Sequence, residues 1–189
     1  MAPRSTPALA RSPSGAERFL VAEPRVRPAT DADLPFCWDM LHEAAIAAPL
    51  LRGLPMADVL ARPGVASHLT GWGRAGDVGL VAVGGDGAPL GAAWHRVLAP
   101  SERELGAPAL IRVPELTIAV RRPYRGTGVG SALLAALAVQ ARRAGYEHLA
   151  AFVDPLNGAL KFFRRHGFVE AGRHVAADGV RLVMIGEIG

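Results

Sequence analysis

Cysteine and lysine are nearly missing from this chain. One cysteine, Cys37, stands among 189 residues, so no internal disulfide can form, and a reducing compartment fits that usage. Lys161 is the sole lysine among 21 basic residues. With 22 glycines and abundant alanine, this composition is that of a GC-rich genome and points to a bacterial source. Long apolar runs are also missing. The longest, residues 132–139, has eight residues, against the roughly 20 that a membrane helix needs. The N-terminus has no continuous apolar core of the secretory kind. Arg4, Arg11 and Arg18 suggest a transit peptide only weakly, because Pro3, Pro7 and Pro13 would break its helix. Residues 1–22 are expected to be a disordered tail before one domain over 23–189, and the expected location is the cytoplasm. His42, His68, His148, His166 and His174 show no zinc-type spacing, and no metal is expected.

What the chain does have is enough apolar content for a core. Half of its residues are hydrophobic and 20% are charged, which excludes intrinsic disorder over most of its length. A chain of this size buries roughly 70% of its unfolded surface. The net charge is +4 and the pI about 10.2, which favours an anionic ligand. No basic run is interleaved with aromatics, so no nucleic-acid partner is expected.

A short extended segment is predicted at Arg25–Pro28. Thr30-Asp31-Ala32-Asp33 then precedes apolar Leu34, Cys37, Trp38 and Leu41, a helix start signal. That helix should run to about Ala48. Met56–Leu60 is helical and is interrupted at Pro63-Gly64. Apolar stretches at 79–83 and 90–97 flank the turn cluster Gly84-Gly85-Asp86-Gly87, which makes a hairpin. Residues 99–112 read as a loop. A strand at Glu115–Val120, a helix over 131–144, a strand at His148–Val153 and a helix over 156–165 follow. A last hairpin pairs 168–175 with 180–187 around Ala177-Asp178-Gly179. The pattern predicts an α/β (α+β) fold. Its sheet is mixed and mostly antiparallel, with about six to seven strands and flanking helices. Parallel pairing is expected only between Glu115–Val120 and His148–Val153.

The chemistry concentrates where the first of those two strands enters a glycine-rich turn and a helix. In Arg125-Gly126-Thr127-Gly128-Val129-Gly130-Ser131 the glycines let backbone N–H groups approach an anion. The helix N-terminus adds partial positive charge, and Arg125 a forked donor. A Walker loop is excluded because no Lys-Ser or Lys-Thr pair exists. A Rossmann fingerprint fails at Ser131, and the repeated parallel βαβ units are missing. The pattern Arg/Gln-x-x-Gly-x-Gly/Ala fits residues 125–130 fully.

This segment resembles the coenzyme A pyrophosphate loop of the GNAT N-acetyltransferase superfamily. Ala159-Leu160-Lys161-Phe162-Phe163-Arg164-Arg165-His166-Gly167-Phe168 is similar to the second signature of that family. The resemblance covers residues 24–189, sharply over 115–131 and 157–168. It implies a GNAT-type sheet with two parallel strands splayed to admit pantetheine. Acetyl-CoA would be the cosubstrate, and the acetyl group would pass directly to a primary amine of a small molecule, peptide or protein. Many members of the family are homodimers, although the sequence marks no interface.

The resemblance also implies the site residues. Ile118, Ala119 and Val120 would pair with pantetheine, with Ile118 and Val120 the choices for its backbone bonds. Gly126, Thr127, Gly128, Val129, Gly130 and Ser131 would hold the pyrophosphate, with Arg125 adding a salt bridge or shaping the loop. Asn157 and Phe163 would lie along the coenzyme. A lysine-like amine, with a pKa near 10.4, is neutral in only about one molecule in 2,500 at pH 7, so a base, or a water chain leading to one, would help. Glu115 is the first candidate and His95 the second. Glu115 has a competing reading as a strand-edge carboxylate paired with a residue such as Arg112. Glu102 and Glu104 would attract a cationic acceptor, and Trp72 would line its site.

Two departures stand out. The tyrosine that often protonates the leaving thiolate is Phe163 here, which leaves Tyr124, Tyr146, His166 or water as substitutes. The family's asparagine is displaced by one position, to Asn157. The first departure motivates an alternative function, a catalytically silent coenzyme A-binding module.

Overall fold

The computed structural model describes residues 24–99, 102, 112–176 and 179–188. The expected tail at 1–22, Glu104 and the turn residues Ala177-Asp178 lie outside the described residues. Seven strands form one sheet in the order β1-β2-β3-β4-β5-β7-β6. They are β1 (Arg25–Pro28), β2 (Val78–Val83), β3 (Pro89–Arg96), β4 (Glu115–Val120), β5 (His148–Val153), β6 (Val169–Ala176) and β7 (Gly179–Glu187). Every neighbouring pair is antiparallel except β4–β5.

The chain enters its first helix through a local lock. The Asp33 carboxylate accepts from the Thr30 N–H at 2.8 Å and its hydroxyl at 2.9 Å. Arg27 grips both carboxylate oxygens at 2.7 Å, and its guanidinium holds Asp33 well below the usual carboxylate range. Helix α1 (Leu34–Ala45) follows and buries Phe36, Cys37, Met40 and Leu41 against one face of the sheet. It stops three residues before the expected end, because the last turn tightens ahead of Pro49. Pro63 does not simply interrupt the next helical stretch. It opens a new one, α3 (Pro63–Ala66), after α2 (Met56–Leu60), since proline suits a first helical turn.

The other face carries α4 (Val129–Arg143), whose Val129, Leu133, Leu134, Leu137 and Ala141 are buried. Fully burying each leucine stabilises the fold by roughly 1.5–3 kcal/mol. Gly145, at φ 84°, closes the helix. Helix α5 (Ala159–Arg165) begins three residues later than expected; Leu156 is 78% exposed. The Gly167-Phe168 pair has a physical reason. Gly167 takes φ 82° to leave α5. Phe168 then packs on Phe163, ring centroids 5.2 Å apart, and lies where a Cβ on Gly186 of β7 would sit. No described helix is long and apolar enough to cross a membrane.

One buried ion pair fixes the segment between α3 and β2. Arg96, at the end of β3, has no exposed surface. Its Nε and Nη2 donate to the two Asp77 oxygens at 3.1 and 2.6 Å. Its remaining hydrogens go to the carbonyls of Ser67, Thr70 and Gly71 at 2.7, 2.9 and 3.2 Å. All five guanidinium donors are therefore used. Trp72 lies beneath the guanidinium, 5.6 Å from centroid to Arg96 Cζ, and fills the space over Gly79. Its expected place at an acceptor site is corrected by this packing. Arg96→Met leaves the buried Asp77 carboxylate with only the Gly73 and Arg74 N–H groups, at 3.1 Å each, and strands three carbonyls. Urea denaturation should register a loss of about 3–5 kcal/mol, partly recovered when Asp77→Leu is added. A loss under about 1 kcal/mol would show that the clamp carries no such load.

Candidate active site

Strands β4 and β5 pair at one position only, Glu115 opposite Ala150, where the Ala150 N–H donates to Pro114 O at 3.0 Å. Beyond it they part. Each remains fully paired on its other side, β4 with β3 and β5 with β7. Between them opens a cavity of about 1030 Å³, lined by Glu115–Val120, the end of β5, the glycine turn, α5 and the α1–α3 segment.

Strand alternation decides which backbone groups face that gap. The Arg121 N–H donates to Leu90 O in β3, so odd-numbered residues of β4 point their backbone groups toward β3. The groups of Ile118 and Val120 point the other way, into the gap. Val120 O accepts from Arg125 Nε at 2.9 Å, so that carbonyl is already engaged. Side chains alternate as well. Leu116, Ile118 and Val120 pack toward α4, which puts Glu115, Thr117 and Ala119 on the opposite face, where Ala119 meets the α1 cluster.

At the far end of β4, roughly 16 Å from Glu115 by strand rise, the turn takes its shape from two glycines. Gly126 (φ 77°) and Gly128 (φ 93°) adopt left-handed conformations, and a Cβ on either would meet nothing within 4 Å. Backbone conformation thus selects glycine, and the side facing the cavity stays open. Gly130 is different, since a Cβ there would touch the Phe162 ring at 3.3 Å. The N–H groups of Val129, Gly130 and Ser131 are the first-turn donors that an α-helix cannot satisfy internally. Arg125 does not reach into the cradle. It pairs with Glu43 of α1 at 2.7 Å, and Arg122 joins the same oxygen at 3.3 Å. The Thr127 hydroxyl donates to Tyr124 O at 2.7 Å, and the Val129 side chain is buried in the core.

The α5 side of the cavity holds Asn157, Phe162, Phe163 and His166. Asn157 Oδ1 accepts from the Ala159 N–H at 2.8 Å, which caps the helix entry. Phe163 is buried between Phe162 and Phe168, at centroid distances of 5.4 and 5.2 Å. Of the expected substitutes for its missing hydroxyl, Tyr124 and His166 line the cavity, whereas Tyr146 packs edge-on against His95.

The Glu115 end contains a residue that sequence reading passed over. His68, in the turn after α3, lines the cavity, with Nδ1 3.1 Å from Thr117 Oγ1. Its carbonyl accepts from Trp94 Nε1 at 3.1 Å, and the Arg96 clamp holds the residues around it. Burial, aided by the Arg96 charge, pushes its pKa down to about 4. Glu115 is buried beside Thr117 on the same strand face, and Arg112 lies exposed. Glu102 lines the cavity but is held at about 2 by its partner Arg74, 2.6 Å away. No group of three or more described His, Cys, Asp or Glu side chains is arranged to hold a metal.

His95 is corrected as a candidate base. It is fully buried, does not line the cavity, and its ring nitrogens have no hydrogen-bond partner among the described residues. Its β3 position turns it to the α4 face, while Trp94 and Arg96 face α1. Burial lowers its pKa from 6.5 to about 4, against a weaker upward pull from Asp77. The unfolded chain therefore binds this proton near pH 6.5 and the folded chain only near pH 4. Between those values the unfolded state holds more protons, so stability falls as pH is lowered. His95 should contribute roughly 3 kcal/mol of that fall. Denaturation at pH 7 and pH 4.5 should show a shallower decline for His95→Leu than for the wild type; equal declines would contradict the assignment.

A strand, a left-handed glycine turn and a helix N-terminus beside a gap in the sheet make an arrangement whose free N–H groups could receive an anion. The model of the acetyltransferase (GNAT) family matches residues 58–168, more than half of the chain, and the chain belongs to that family. Among curated proteins no relative matches it. An N-acetyltransferase from Staphylococcus aureus is 23% identical with a TM-score of 0.60, the alignment covering 89% of this chain and 100% of that one. The Salmonella typhimurium protein yncA, solved with its cofactor acetyl-CoA, is 20% identical with a TM-score of 0.62, covering 89% and 95%. Ribosomal-protein-alanine N-acetyltransferase from Brucella melitensis is 26% identical with a TM-score of 0.61, covering 86% and 99%.

Proposed function

We propose that this chain is an acetyl-CoA-dependent N-acetyltransferase that moves the acetyl group directly from the thioester to a primary amine. The observation that carries the reading is the continuity of the gap between β4 and β5 with the open cradle at Gly126 and Gly128. One long ligand with an anionic end and an amide-bearing arm suits both. Backbone N–H groups from Gly126 to Ser131 would bind its pyrophosphate. The Ile118 C=O and the Val120 N–H would pair with the pantetheine amides along the gap. Arg125 shapes the loop by tying Val120 O to Glu43. When bound, the coenzyme supplies an acetyl thioester.

The reacting end then falls near Glu115, Thr117 and His68. A strand N–H near Ile118 would polarise the acyl carbonyl in the manner of an oxyanion donor. Glu115 is the proposed acceptor of the amine proton, directly or through water. His68 stands across Thr117 as a second group on the same wall. Apolar Leu41, Ala48, Leu51 and Val65 complete that end of the cavity.

Calorimetric titration with acetyl-CoA, with NADH as control, tests the reading first. Micromolar binding of acetyl-CoA alone supports it, and silence in a folded sample overturns it. Thiol release across an amine panel then separates a transferase from a silent binding module. Gly128→Val places a β-branched side chain at φ 93° on the open face of the cradle. It should weaken acetyl-CoA binding at least about tenfold in a folded variant; unchanged affinity would remove the proposed pyrophosphate site. Phe163→Tyr should leave affinity within about twofold and raise kcat roughly tenfold, toward the lower end of what a positioned acid supplies. An unchanged kcat would show that another group already protonates the thiolate.

A further inference from the structure

His166 and Ser131 are joined in a way that the acetyl-CoA reading does not use. The His166 ring lies over Phe162, centroids 4.4 Å apart, at the C-terminal end of α5. Its Nδ1 is 2.8 Å from the Phe162 carbonyl oxygen. A carbonyl only accepts, so that nitrogen carries a hydrogen. Its Nε2 is 2.9 Å from Ser131 Oγ. In a neutral ring Nε2 must then accept, and the Ser131 hydroxyl donates to it. The hydroxyl proton of Ser131 is thereby spent on the imidazole.

Ser131 is in the first turn of α4 and lines the cavity with Gly126, Gly128 and Gly130. An anion seated in that turn draws hydrogen-bond donors, and the hydroxyl is the side-chain donor nearest to it in sequence. If the hydroxyl turned to the anion while His166 stayed neutral, two lone pairs, on Nε2 and on Oγ, would face each other. Uptake of one proton by Nε2 removes the conflict. Nε2–H then donates to Ser131 Oγ, Ser131 donates to the anion, and Nδ1–H stays on Phe162 O. One proton comes from solvent, and no other covalent bond changes.

The charged surroundings fit this coupling. Arg165 on α5, the Arg125–Glu43 pair from the turn and α1, and Asp154 with Arg181 from the β5 and β7 side line the same cavity. A bound pyrophosphate would add negative charge to this wall, on the side of Ser131 away from the imidazole. Among the described residues the imidazole hydrogen-bonds only to Phe162 O and Ser131 Oγ. Imidazole is also the side chain whose charge changes in the neutral range.

We propose that His166 is a proton-coupled anchor for the coenzyme: filling the glycine cradle draws a proton onto Nε2, and the imidazolium holds the anion through Ser131. The inference rests on the acetyl-CoA reading. Acetyl-CoA is titrated into the intact protein at pH 7.5 in phosphate, HEPES and Tris, whose ionisation enthalpies differ. The slope of observed enthalpy against ionisation enthalpy counts the protons taken up. Wild type should take up about half a proton or more per site, and its affinity should rise as pH falls, by up to roughly tenfold per pH unit.

His166→Gln keeps a donor for Ser131 that does not titrate. It should still bind, about three- to tenfold more weakly at pH 6.5, with most of the uptake gone; subtracting it also removes protons exchanged by the coenzyme's own phosphates. Ser131→Ala should lower uptake in the same way. Zero uptake in the wild type overturns the proposal, as does equal uptake in His166→Gln. Should that variant not fold, unchanged uptake in Ser131→Ala overturns it instead. Failure of the wild type to bind acetyl-CoA at all removes the acetyl-CoA reading itself, an outcome distinct from binding without uptake.

Discussion

The parting of β4 from β5 after a single pair is the constraint on which the rest of this molecule depends. A sheet normally satisfies its backbone groups strand against strand. Here the inner edges of two central strands are left to a cavity, and the loss has to be contained. Complete pairing of β4 with β3 and of β5 with β7 does so. The gap therefore opens between two rigid halves. Helix α4 packs on β2, β3 and β4 beneath one half, and α5 closes the other side through Phe162 and Phe163. Backbone groups that secondary structure leaves unmet are the ones best placed to meet an extended amide ligand. The glycine turn at the end of β4 then adds first-turn N–H groups to the same continuous surface.

The cavity wall that carries His68 is built by a second device, buried charge. Arg96 and Asp77 are both nearly inaccessible, with side chains 0% and 5% exposed. Such a pair is weak evidence for stability, because desolvation offsets much of the attraction. Its value here is positional. The three carbonyls it collects belong to Ser67, Thr70 and Gly71, so the turn bearing His68 is fixed to β3. Trp94, paired with Thr117 across the sheet, adds its indole N–H to the His68 carbonyl. Thr117 then receives the imidazole. A turn that follows a four-residue helix is thereby held to β3 and β4 as firmly as a strand, and its one imidazole is aimed at the cavity.

How much of this was legible in the sequence follows from the range of each interaction. The β4–glycine turn–α4 unit and the Gly167-Phe168 ending are local patterns, and their boundaries came out within two residues or so. Both hairpins and the single parallel contact were legible for the same reason. The Ser131–His166, Thr117–His68 and Arg96–Asp77 contacts join residues 35, 49 and 19 positions apart, and no spacing rule announces them. His95 shows the opposite failure. It had the right residue type on the right strand, yet alternation turned it to the α4 face. Arg125 was placed in the right turn, but the signature did not reveal that Glu43, 82 positions away, holds it.

His68 and His95 show what separates a histidine that faces the cavity from one sealed in the core of this fold. Burial brings both to about pH 4, so perturbation alone does not separate them. Geometry does. His95 is sealed beneath the sheet beside Tyr146 and never meets the cavity, and its neutrality is a cost tolerated for packing. His68 opens on the cavity, with one nitrogen held by Thr117 and a main chain immobilised from two directions. Its imidazole is kept neutral near pH 7 by burial, with a smaller push from the Arg96 charge, and it meets Thr117, which stands two residues along β4 from the buried Glu115. In the proposed reaction Glu115 would draw the acceptor ammonium and take its proton, directly or through water, with the neutral His68 across Thr117 as a second group on the same wall.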